Sequence, residues 1–298
     1  MEPRKHPLVS VIIRTIGRPS LAASVESVVR QGHRPIELVI VNAGGDRLPP
    51  LPGTDSLDVR VVNDGRLNRP RAANAGLSAA AGDWIIFLDD DDTFHPEHLE
   101  SLLAALSDSP EDLVAYSATE CVDARGISLG VLSHEFDRMR LLAQNYIQIG
   151  AALFSSRLVA EGYRFDERFE CFQDWDFWIQ LAQRTRFAFT ARATNRWAVH
   201  TGGSGCGIGP NSDLDRQNRF GEELLRKWAS LSGQLRRKVR HHNALGERAL
   251  QNGKPGQALR HFAAAQAVVR GSPPKARTAT AIKRQLPPTR VEVPGPSP

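Results

Sequence analysis

The chain reads as an α/β protein: a mostly parallel sheet flanked by helices, with a small α-helical region at the C-terminal end. Three observations carry that reading. From residue 8 to about 118, short β-rich apolar runs alternate with amphipathic segments, the order that produces parallel strands joined by crossover helices. No run of about 18 apolar residues occurs, so no membrane-spanning helix is expected. Charge also divides the chain in two, because 17 Lys and Arg stand against 6 Asp and Glu from Asp213 onward, a net +11 that leaves −6 on the first 212 residues.

Leu8-Val9-Ser10-Val11-Ile12-Ile13 is the first strand. Leu21, Val25, Val28 and Val29 then fall at i, i+4, i+7 and i+8 on one helical face, stopped by Gly32. Ile36 to Val41 and Val59 to Val62 are further strands, Pro70 to Ala81 is an alanine-rich helix, and Trp84 to Leu88 is a buried strand. A less regular block follows, with strands near Val114 to Ala118, Ala151 to Phe154, Phe187 to Thr190 and Trp197 to His200. Trp175, Trp178, Ile179 and Ala182 have helical spacing, and the aromatic cluster Trp175, Phe177 and Trp178 reads as core more than as a ligand-stacking platform. Gly202 to Pro210 carries too much glycine for regular structure and reads as a loop, of the kind that serves as a lid. The expected boundaries are an α/β domain over 1–212, a helical extension over 213–271 and a disordered Pro-rich basic tail over 272–298. In the extension, Leu245, Gly246, Ala249, Ala258, Phe262 and Ala265 have the spacing of one tetratricopeptide-type helix pair. One such pair cannot bury its own face, so it is expected to dock on the α/β domain.

The polar start, Met1 to His6, lacks a signal-peptide core, and Cys121, Cys171 and Cys206 have no metal-type spacing. Reduced thiols in a cytoplasm are the expectation. The +11 segment points to an anionic membrane surface, at the inner face, or to an acidic partner. Nucleic acid is the least expected of its partners, and a solvated helical surface is the plain alternative.

The most informative junction is Asp89-Asp90-Asp91-Asp92, directly behind the buried strand. It lies at the carboxyl end of a parallel strand, where open α/β sheets bind ligands. Adjacent carboxylates repel, and a hard divalent cation carrying a polyphosphate relieves them. The plain alternative is an acidic turn before the helix that starts near Pro96.

Four segments together resemble glycosyltransferase family 2 on the GT-A fold. Val9 to Thr15 is similar to the opening strand of that family, Pro70 to Leu77 to its Arg/Asn-containing helix, Phe87 to Asp92 to its DxD strand end, and Phe165-Asp166-Glu167 with Gln173-Asp174-Trp175-Asp176 to its acceptor-side motif. The resemblance implies metal-dependent, inverting transfer from a nucleotide-diphosphate sugar to a hydroxyl on a glycan, a lipid-linked or a small-molecule acceptor. It assigns Mn²⁺ or Mg²⁺ to Asp91 with Asp89, and His200 to completing that metal or pyrophosphate site. It places Asp89 near the nucleoside ribose, leaves Asp90 and Asp92 open to either task, and makes Asp174 the general base. Thr15, Asn42, Arg71 and Asn74 would then face the donor. Asp176 points about 200° away around the helix and reads as structural, while an N-cap role is the plain alternative for Asp174.

Two departures from the family pattern stand out. Asn42-Ala43-Gly44-Gly45-Asp46 replaces the usual Asp-Asp-Gly-Ser, leaving the nucleobase undetermined, and Gln173 replaces the Glu before the expected base. Competing readings are a catalytically degenerate domain that binds a nucleotide or partner, and a sugar-phosphate nucleotidyltransferase. The second lacks a Gly-rich phosphate loop, since Arg14-Thr15-Ile16-Gly17-Arg18 approximates one poorly.

Overall fold

The computed structural model describes residues 6–51, 53–199 and 213–270. Strand β1 (Val9–Thr15) lies between β2 (Ile36–Asn42) and β4 (Trp84–Asp89), all parallel, with β3 (Asp58–Val62) outside β2. Every residue of β1 and β2 is buried, as strands covered on both faces require. The pleat sorts their side chains into two cores. Ile12, Val39, Val41, Ile85 and Phe87 face helices α2 (Arg69–Ala79) and α6 (Gln173–Leu181). Val11, Ile13, Leu38, Ile40 and Ile86 face α1 (Leu21–Val29) and α3 (His98–Ser107). Helix α2 approaches the sheet so closely that a Cβ on Gly76 would meet Ile12 Cγ2 at 2.5 Å. A glycine inside a helix, unfavourable by itself, is thus required there.

Beyond β4 the sheet changes character. Strand β8 (Ala152–Ser155) runs antiparallel to β4 and to β6 (Val114–Val122), β9 (Phe187–Ala198) is parallel to β6, and short β5 (Thr93–Phe94) pairs with β9. The sheet is therefore mixed, parallel in its first half and largely antiparallel in its second, because short buried apolar runs carry no sign of strand direction. Two further differences from the sequence reading have local causes. β9 is one strand of 12 residues, not two, because its polar middle is satisfied inside: Thr194 bonds the His98 ring at 2.7 Å, and Asn195 donates to Thr119 Oγ1 at 3.2 Å. Strand β7 (Ser128–Leu132), hairpinned to β6, escapes an apolar-run search because it is exposed. The turn before it, where Asp123 Oδ1 accepts from the amides of Arg125 and Ile127, was its readable signal.

Short helices α4 (Arg138–Leu141) and α5 (Ser156–Ala160) flank β8 in sequence. Helix α7 (Leu214–Gln251) has 38 residues, about 57 Å at 1.5 Å per residue, and α8 (Pro255–Arg270) folds back on it. A Cβ on Gly246 would meet the Phe262 ring at 2.5 Å, which sets the crossing of the two helices. Phe220, Leu224 and Leu235 of α7 join the core that contains α6. The pair docks on the α/β part, as the lone-hairpin argument requires. Trp175, Phe177 and Trp178 are core residues, 7%, 0% and 0% exposed. Cys121 is free, whereas buried Cys171 is disulfide-bonded, against the expectation of reduced thiols throughout. The tail from 272, the segment 201–212 and His200 lie outside the described residues. No helix among the described residues is long and apolar enough to cross a membrane.

Candidate active site

The site opens where β4 loses a neighbour. On the β1 side the ladder runs to Arg14 opposite Asp89, but on the β8 side it ends at Ile86. Phe87, Leu88 and Asp89 thus have no ladder partner on that side. The sheet reverses direction here, at the kind of switch point that leaves a crevice.

The four acids separate by task. Asp92 turns inward: its Oδ1 accepts from Ala198 N at 2.8 Å, its carbonyl accepts from Ser24 Oγ at 2.7 Å, and it is buried. Burial pushes its carboxyl well above the usual range, and the neighbouring Asp89 and Asp91 charges push the same way. It latches β4 to the end of β9. Asp90, also buried, accepts from Thr15 Oγ1 at 2.6 Å and from Arg18 Nη1 at 2.9 Å. Asp89 accepts from Arg14 Nη2 at 2.5 Å. Burial pushes its carboxyl up, but the charges of Arg14 and Arg69 outweigh that and hold it below the usual range. Asp91 accepts from Arg18 Nη1 at 3.1 Å, and its side chain keeps 16% exposure at the lip.

Asp89, Asp90 and Asp91 line one cleft together with Arg14, Arg18 and Arg69. These arginines, which the sequence reading left unassigned, line the cleft beside the acids. Arg69 heads α2 behind the Asn68 cap, a helix start that sequence signals mark. Burial lowers the proton affinity of its guanidinium, while Asp89 and Asp174 raise it.

Asp174 is the second residue of α6, whose cap position is Phe172, so it does not cap its own helix. Phe172 has φ +60° and is the only non-glycine with positive φ among the described residues, a conformation costing roughly 1–2 kcal/mol. Strain of this kind gathers at functional sites. Asp174 Oδ2 accepts from Asn145 Nδ2 at 3.1 Å. Burial raises its carboxyl above the usual range; the Asn145 bond and the Arg14 charge oppose this, and Asp89 adds to it. The strand-end acids and the helix-start acid therefore share one electrostatic environment, with Arg14 and Arg69 between them.

Thr15 lines the cleft, whereas Asn42, Arg71 and Asn74 are engaged elsewhere. Asn42 spends its amide on its own loop, donating to Asp46 O at 2.7 Å and Asn63 Oδ1 at 3.1 Å and accepting from Gly45 N at 3.2 Å. Arg71 is exposed and bonds Glu167 at 3.1 Å. Asn74 exchanges two 3.0 Å hydrogen bonds with the Phe165 backbone. Neither Arg71 nor Asn74 lines the cleft; both clamp the 165–167 loop onto α2. The Thr15 hydroxyl orients Asp90. Asp176 is structural, with 0% exposure and bonds from Lys227, Trp228 and Gln180.

Among the described residues, no three His, Cys, Asp or Glu side chains converge as a preformed metal cage. The donor chemistry nevertheless fits a divalent ion held in the Mg²⁺ manner, by one or two carboxylates plus phosphate oxygens. Asp91, on the lip and partly open to solvent, meets that requirement.

Comparison with known proteins agrees with this geometry. Residues 10–151 match the model of Glycosyl transferase family 2. The chain is 29% identical over 189 residues to the uncharacterized glycosyltransferase YwdF of Bacillus subtilis, covering 60% of this chain and 69% of that protein. It is 24% identical over 187 residues to an uncharacterized glycosyltransferase of Haemophilus influenzae, covering 60% and 64%. In fold it is similar to S. aureus TarS 1–349 in complex with UDP-GlcNAc, with TM-score 0.56, 16% identity and 89% and 92% of the two chains covered. It is also similar to the mannosyltransferase PcManGT of Pyrobaculum calidifontis in complex with GDP-Man and Mn²⁺, with TM-score 0.50, 14% identity and 89% and 87% covered. Over residues 10–151, which hold the opening strand, helix α2 and the acids at the end of β4, the chain is similar to glycosyl transferase family 2, and its sheet is that of these GT-A glycosyltransferases.

Proposed function

We propose that the chain transfers a sugar from a nucleotide-diphosphate donor to an acceptor hydroxyl with inversion, using Asp174 as base and a divalent ion on Asp91. The observation that carries this reading is the convergence of the β4 acids and Asp174 on one environment crossed by Arg14 and Arg69. Asp174 takes the proton of the incoming hydroxyl as its oxygen attacks the anomeric carbon, and the bond to the diphosphate breaks on the opposite side. Its raised proton affinity suits that task, and a positioned base contributes roughly 10²- to 10⁴-fold. Asn145 fixes the carboxylate through Oδ2. Arg14 and Arg69 place positive charge where the leaving diphosphate gains negative charge, in surroundings that exclude much of the water. Asp91, with Asp89 beside it, would hold Mn²⁺ or Mg²⁺, which when bound would supply Lewis-acid neutralisation of the leaving group. UDP- and GDP-sugars, which the two fold neighbours hold, are the donors to try first. The acceptor is a hydroxyl of a glycan, lipid-linked or small-molecule substrate, and the basic α7–α8 surface is available to an anionic membrane or an acidic partner.

The test is calorimetric titration of UDP-GlcNAc and GDP-mannose into the full chain, with Mn²⁺ and with chelator, repeated on Asp91→Asn. Metal-dependent binding that the variant loses supports the reading. Absence of binding to either donor would turn the assignment toward a degenerate binding module.

A further inference from the structure

Arg18 already pairs with Asp91, to which the proposed metal would bind, and with its neighbour Asp90. It follows Gly17, whose φ of +85° is one that L side chains rarely adopt, and whose amide donates to Thr15 Oγ1 at 2.9 Å. From this turn a single guanidinium nitrogen, Nη1, reaches Asp90 Oδ1 at 2.9 Å and Asp91 Oδ2 at 3.1 Å. The cleft measures about 90 Å³, well below the roughly 300–1,000 Å³ of a ligand pocket. Withdrawal of a side chain would make room there for a diphosphate. Arg14 is held on a buried strand with 7% side-chain exposure and bonds Asp89. Arg18 sits on the surface turn with 25% exposure, and it has a route out.

We propose that Arg18 is an exchangeable counter-ion. It occupies Asp90 and Asp91 while the donor is absent, yields Asp91 to the divalent ion, and pairs with the incoming diphosphate. This rests on the metal assignment made above. The reason is electrostatic: a divalent ion and a guanidinium on the one Asp91 carboxylate repel each other, so metal alone binds weakly. A diphosphate supplies negative charge for both cations, so metal and nucleotide bind cooperatively. Linkage makes that coupling reciprocal, and coupling factors of about 5–150 are typical.

The experiment measures Mn²⁺ affinity of the full chain by the electron paramagnetic resonance of free Mn²⁺, alone and with saturating UDP or GDP, in the wild type, Arg18→Ala and Arg18→Lys. In the wild type, one nucleotide is expected to tighten Mn²⁺ binding about tenfold or more. In Arg18→Ala, Mn²⁺ alone is expected to bind about tenfold tighter than in the wild type, and the coupling to shrink accordingly. Arg18→Lys keeps the charge and is expected to keep most of the coupling. Unchanged Mn²⁺ affinity and coupling in Arg18→Ala would overturn the proposal while leaving the metal assignment standing, and so would an Arg18→Lys that behaves as Arg18→Ala. Absence of Mn²⁺ binding under every condition would remove both.

Discussion

Replacing Lys227 by methionine removes the cation from a carboxylate that water does not reach. Asp176 has 0% exposure, and its two oxygens accept from Lys227 Nζ at 2.8 and 2.9 Å, from Trp228 Nε1 at 2.8 Å and from Gln180 Nε2 at 2.8 Å. Lys227 also bonds Asp166 at 2.8 Å. Breaking a buried pair by removing one partner costs about 3–5 kcal/mol. Two considerations set the expectation near the lower end, about 3 kcal/mol: Lys227 itself is 26% exposed, and Trp228 and Gln180 remain to solvate Asp176. Methionine retains much of the alkyl stem, so the loss reports charge more than volume. The assay is urea unfolding, where the midpoint should fall at constant slope. The double variant Lys227→Met/Asp176→Asn, with no uncompensated charge, should be less destabilised than the two single changes add up to, by about 1.5 kcal/mol or more. A single-variant loss within about 0.5 kcal/mol, the range of an ordinary surface change, or strict additivity of the pair, would refute the reasoning.

Two further expectations concern pH. Because burial raises the proton affinity of Asp174, the acid limb of kcat/KM should lie above the range of an ordinary carboxylate. Asp174→Asn should lower turnover by roughly 10²- to 10⁴-fold while leaving donor binding by calorimetry in place; an acid limb at ordinary carboxylate pH would count against the base. His98 is buried between Thr194 Oγ1 at 2.7 Å and the Gly150 carbonyl at 3.0 Å, and burial pushes it down from 6.5 to about 3. Its folded pKa lies below the unfolded one, so its contribution is complete above pH 6.5 and is lost as pH falls from 6.5 toward 3. The loss is roughly 1.4 kcal/mol per pH unit. Urea midpoints between pH 7 and 4 should fall steeply, and less so in His98→Gln; parallel curves would exclude His98 as the cause.

The first half of the sheet is legible because its strands are unbroken apolar runs and its helices keep a 3.6-residue period. The polar middle of β9 is not, since Thr194 and Asn195 become strand residues only once His98 and Thr119 meet them. The same distinction governs the site. Asp89 to Asp92 and Asp174 stand out locally, as acids at a strand end and a helix start. Arg14 gives no local signal, because its partner Asp89 is 75 positions away and the two meet only through the β1–β4 register. Asn42, Arg71 and Asn74 look like donor ligands in a linear motif, yet their hydrogen bonds are consumed by neighbouring loops that the sequence leaves unplaced.

The grip of α7 on Asp176 also bears on where this protein can be cut. The family match stops at residue 151, and charge and composition suggest a boundary near 212. A fragment ended at either place lacks Lys227 and Trp228, and the longer one carries an enclosed carboxylate with its principal donors amputated. Gene fusions, limited digests and truncated genes that treat the helical extension as a detachable module should therefore yield insoluble or protease-sensitive material. A piece expected to fold on its own extends beyond Trp228.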